Sequence, residues 1–133
     1  MYGDDTMTEK PSALIKAERT LVAACKAYDE LYRDGVPPQQ RIAAGEAMLK
    51  TDPSNQQVIT GVNYLRSVEA KRWEALSRAL SAYQTASDNA GGDIKWDYEP
   101  ETAQYLGVDV QIDSVAEEYG DRRIEAMRQR ELI

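Results

Sequence analysis

Carboxylates are the side chains with chemical potential that this sequence gathers in number. Asp93, Asp97, Glu99, Glu101, Asp109 and Asp113 fall close together in one stretch. Oxygen-rich sets of this kind suit Ca²⁺ or Mg²⁺, and a pair with separated pKa values can do glycosidase-type acid and base work. The pattern fits neither. The EF-hand order of ligands, with glycine at its sixth place, matches no start in the stretch, and Trp96 and Tyr98 alone do not make a sugar groove. The expectation is therefore an acidic surface with no metal, no cofactor and no catalytic residue. Spaced along an extended ribbon, the same carboxylates can also imitate a row of DNA phosphates.

Other chemistries are excluded by composition. With no His and one Cys, the chain cannot build a His/Cys zinc site, a Ser-His-Asp triad or a Cys-His dyad. Cys25 falls on an apolar helical stripe with Leu21 and Tyr28, which predicts a buried, inert thiol. Tyr2-Gly3-Asp4-Asp5 spells the metal-binding tetrapeptide of many viral RNA polymerases, but a palm domain and its second carboxylate strand require far more than 133 residues. Arg122, Arg123, Arg128 and Arg130 crowd the last segment. Cations are favoured near a helix C-terminus, and four of them in so acidic a chain do not predict direct nucleic-acid binding.

The elements that hold these residues read as helices first. Leu14, Ala17, Leu21, Ala24, Tyr28 and Leu31 recur at steps of three and four, predicting an amphipathic helix over 12–34 that Gly35, Pro37 and Pro38 stop. A short second helix starts at Pro37 or Pro38 and runs to about Leu49. After Thr51-Asp52-Pro53, Val58, Val62, Leu65, Val68, Trp73, Leu76, Leu80 and Tyr83 define a long third helix ending near Asp88. Its length predicts a kink near Gly61 or an end packed on another chain. Beyond Asn89 the period changes to two: Ile94, Trp96 and Tyr98, then Val108, Val110 and Ile112, alternate with polar residues as two strands would. Ser114-Val115-Ala116-Glu117 is a capping box, predicting a last helix with Val115, Tyr119, Ile124 and Met127 on one side.

The fold class expected is mainly α, an antiparallel helical hairpin with one long helix, followed by a small acidic two-stranded ribbon and a C-terminal helix. The organisation is a polar arm (1–11), the helical hairpin or bundle (12–89), and the ribbon plus terminal helix (90–133), packed together as one domain. The charge is uneven. Of the net −7, residues 91–121 carry −8 and residues 122–133 carry +2, so the acidic segment is followed at once by its complement.

This pattern predicts a non-enzymatic structural or adaptor subunit of a larger assembly, homo-oligomeric or heteromeric, with a tailed-phage virion component as one concrete case. The alternative is an acidic DNA-mimic inhibitor of a nucleic-acid enzyme. The expected interface comprises Trp96, Tyr98, Arg122, Arg123, Ile124, Met127 and Arg128, with the arginines meeting the carboxylates of 93–113 across subunits. Protein partners are expected, with no small-molecule substrate. No apolar run is long enough for a membrane span, and Met1 to Lys10 lacks signal-peptide order. The location expected is accordingly cytoplasmic or virion.

Overall fold

The computed structural model describes residues 9–91, Trp96, Thr102 and 112–131, with the side chains of 112–116 outside that set. Its named elements are α1 (Ser12–Asp29), α2 (Pro38–Thr51), α3 (Gln56–Asn89) and α4 (Ile112–Glu131). The fold is mainly helical, as the apolar periodicities require.

Helix α1 forms on its predicted stripe. Leu14, Ala17, Leu21, Cys25 and Tyr28 are all buried. It stops five residues earlier than the spacing suggested, because Arg33 and Val36 pair back to back through N–H···O bonds of 3.0 and 2.8 Å. Asp34 and Gly35 between them take φ values of 51° and 79°, the two positive angles of a tight primed turn, for which Asp-Gly is a favoured pair. Carbonyls of the last turn of α1 and of the segment that follows it are satisfied from outside: Arg72 donates to Ala27 O at 2.7 Å and Arg41 to Leu31 O at 2.8 Å.

Helix α2 opens with Pro38 in its first turn and lies antiparallel along the first half of α3. Gly45 sets their separation. A methyl group there would collide with Val62 Cγ2, so the missing side chain is what lets the two backbones approach. Helix α3 begins after Asn55, whose Oδ1 accepts from Val58 N–H at 3.2 Å; the cap is therefore Asn55, two residues beyond Pro53. It runs uninterrupted to Asn89, roughly 51 Å, and no break marks Gly61.

Gly61 and Gly45 consequently predict opposite outcomes. A Cβ at Gly61 would meet nothing within 4 Å, so Gly61→Ala should raise stability by about 0.5–1 kcal/mol through helix propensity alone. Gly45→Ala should lower it by about 1–3 kcal/mol through overpacking. Urea unfolding of the two variants checks both signs.

The principal buried cluster joins Leu21, Cys25 and Tyr28 of α1, with Leu31 just beyond its end, to Leu76 and Ala79 of α3 and Tyr119 of α4. Tyr28 sits at its centre, with edge-to-face contacts to Trp73 at 5.7 Å and Tyr119 at 6.3 Å between ring centroids.

Two expectations for the C-terminal part need correction. The two-stranded ribbon falls mostly outside the described residues, but Trp96 belongs to no strand and Ile112 is helical. Ile112 stands seven residues before Tyr119, a spacing that helix periodicity satisfies as well as strand alternation does. Ser114 thus lies inside the first turn of α4 instead of capping it. The inward face of α4 also differs from the predicted one: Tyr119 and Ala126 are buried, whereas Ile124 and Met127 are 53% and 43% exposed.

Candidate functional site

The polar residues of greatest structural consequence meet where all four helices converge on the Glu69 carboxylate of α3. Tyr28 of α1 donates its hydroxyl to Oε2 at 2.6 Å, and Gln39 of α2 donates Nε2 to the same oxygen at 2.8 Å. Arg123 of α4 closes the set with a bidentate fork, Nε to Oε2 at 2.8 Å and Nη2 to Oε1 at 3.1 Å. Glu69 is buried, and burial by itself pushes its pKa up. The hydrogen bonds from Arg123, Tyr28 and Gln39, with the charge of Arg123, outweigh that effect and hold it below the ordinary carboxylate value. Tyr28 is raised in turn, first by burial and then by its contacts with Glu69. The Arg123 guanidinium also stacks over the Trp73 ring at 4.8 Å.

A second junction repeats the arrangement two turns along α4. Arg130 forks onto Glu46 of α2, at 3.1 Å through Nε and 3.0 Å through Nη2, while Arg66 of α3 pairs with the same carboxylate. Bidentate arginine–carboxylate pairs fix orientation as well as contributing energy. The two forks therefore set both the position and the rotation of α4. Among the described residues, no three His, Cys, Asp or Glu side chains gather as a metal site.

The sequence-derived candidates are dispersed. Arg122 stacks over Tyr119 at 4.1 Å and lies 3.7 Å from Asp29 Oδ1, with Tyr119 also donating to Asp29 Oδ2 at 2.9 Å. Arg123 and Arg130 pair within their own chain. Arg128 is exposed, 3.8 Å from Glu125 one turn earlier. Trp96 is half-buried, with its Nε1 shielded from solvent. Tyr98, Asp93, Asp97, Glu99, Glu101 and Asp109 lie outside the described residues, as does the side chain of Asp113. Cys25 is fully buried, and burial pushes its thiol up to about 11, away from the thiolate that reactivity needs.

Two open surfaces among the described residues combine apolar side chains with charge. On the outward side of α4, Ile124 and Met127 stand among exposed Glu117, Asp121, Glu125 and Glu131. Between α2 and the first half of α3 runs a cleft of about 800 Å³ with Met48, Val58, Gly61, Val62, Leu65 and Val68 along it and Arg33, Arg41 and Arg72 at its edge beside Glu30. Neither surface was singled out by spacing alone, although Ile124 and Met127 were named for the interface. Among the described residues, no helix is long and apolar enough to cross a membrane.

No protein-family model matches the chain, and no curated protein or solved structure does.

Proposed function

We propose that the chain is a non-enzymatic structural subunit that associates with further copies of itself. The observation that carries this reading is the outward face of α4, where two large apolar side chains stand 53% and 43% exposed on a helix whose inner face is already anchored by two arginine forks. An anchored helix presents its outer residues with little conformational freedom left to lose, which favours docking. Apolar and Met side chains ringed by charge are the composition of an interface centre and rim. The internal ion pairs support the same reading: Glu69, Glu46, Arg123 and Arg130 are engaged in joining helices.

Light scattering across a dilution series should show a mass above the 14.9 kDa of one chain, rising with concentration at low salt. A mass fixed at one chain up to the solubility limit overturns self-association. The DNA-mimic alternative would take its place if the chain, while monomeric, inhibited a nucleic-acid enzyme and lost that effect on neutralising Asp93, Asp97 and Asp109.

A further inference from the structure

We infer that the outward face of α4 docks into the α2–α3 cleft of a second copy, an inference that rests on the self-association proposed above and names the two surfaces that meet. Charge complementarity is the first support. The cleft is lined by Arg33, Arg41 and Arg72 against a single Glu30, which pairs with Arg72 at 3.2 Å, so its net charge is positive. The outer face of α4 exposes Glu117, Asp121, Glu125 and Glu131 against a single Arg128. Each surface thus carries the opposite charge around an apolar centre, the arrangement that steers encounter and fixes register. The dimensions agree as well: from Val58 to Arg72 and from Glu117 to Glu131 are equal lengths of helix, about 21 Å each.

The second support is a pair of glycines with no role in the monomer. Gly61 lies along the cleft in α3 and Gly120 lies in α4 one turn before Ile124. A Cβ built on either meets nothing within 4 Å, and neither has a positive φ. Glycine inside a helix weakens it relative to alanine. Each glycine removes bulk on a surface of the proposed contact, where small residues let two helices pack closely. Gly45 offers the contrast, since its missing side chain is filled from within by Val62.

Such a contact is heterologous, joining different surfaces of the two copies, so it propagates into a ring or a filament and does not stop at a symmetric pair. It also has a complementation test. Gly61→Leu fills the cleft, and the double variant Ile124→Lys, Met127→Lys removes the apolar pair and repels the arginine edge. Each is expected to weaken self-association at least about tenfold, the loss typical of a disturbed interface centre. Mixed in equal amounts, the two should form a heterodimer near twice 14.9 kDa that grows no further, because each retains one intact surface. Far-UV circular dichroism and thermal melts establish that both variants are folded, and Gly61→Ala supplies a milder block that the monomer tolerates.

If both variants assemble as the unaltered chain does, the inference falls while the proposed self-association stands on another face. A mixture that stays monomeric also overturns it, since the two surfaces would then not be each other's partners. An unaltered chain that never exceeds one copy overturns both readings.

Discussion

Glu69→Ala is expected to destabilise the fold by about 2–4 kcal/mol, the range for breaking a largely buried ion pair with attached hydrogen bonds, lowered because Arg123 retains some solvent contact. The substitution leaves Tyr28, Gln39 and the Arg123 guanidinium facing an empty acceptor position, and it removes a carboxylate on which α1, α2 and α4 all converge from α3. Chemical denaturation of Glu69→Ala beside the unaltered chain measures the loss; a change under about 0.5 kcal/mol, the size of an ordinary surface substitution, would refute the assignment. The same carboxylate predicts an acid limit. Its pKa is depressed on folding, so its contribution is fully present above the ordinary value of 4.5 and is lost as pH falls through the lower folded value. The melting temperature of the unaltered chain should therefore decline below about pH 4.5 more steeply than that of Glu69→Gln.

Leu76→Ala is expected to cost about 2–5 kcal/mol, the combined transfer and cavity terms for a fully enclosed leucine. Leu76 has no exposed surface and belongs to the cluster that joins α1, α3 and α4. The cavity would open within the cluster that Leu76 shares with Cys25 of α1 and Tyr119 of α4, and two helices held by separate contacts cannot easily close it. A thermal or urea midpoint that moves by less than the equivalent of about 0.5 kcal/mol would place Leu76 outside the core.

These two residues differ in how far the sequence announced them. Leu76 lies on a mostly apolar stripe, and the stripe was legible because the periodicity alone turns Val62 and Leu76, and in part Leu65 and Leu80, inward. Glu69 occupies the same stripe, four residues after Leu65 and four before Trp73, yet its charge made it read as surface. A lone carboxylate at a core position was the available signal. It identifies a buried ion pair only once a cation is found on another helix, and Arg123 is 54 residues away. The end of α1 was missed for a related reason: the pairing of Arg33 with Val36 overrides the helical spacing of Leu31. On α4, Ile124 and Met127 were placed with Tyr119 by hydrophobicity, but the arginine forks rotate the helix so that Arg123 and Arg130 turn inward and the two apolar residues outward. Side-chain polarity alone does not reveal that rotation, because the deciding carboxylates belong to α2 and α3.

The separation between Glu69 and its cation also orders events during synthesis. Glu46 and Glu69 are synthesised with α2 and α3, and the guanidiniums of Arg123 and Arg130 follow only later. At about 5–20 residues per second, the 54 residues between Glu69 and Arg123 take roughly 3–11 s to translate. Throughout that interval Tyr28 and Gln39 have been made and the fork from α4 has not. Arrival of α4 supplies the missing charge. The same helix carries the outward residues proposed to meet another copy, so a nascent chain would acquire that surface only together with the fork that closes on Glu69.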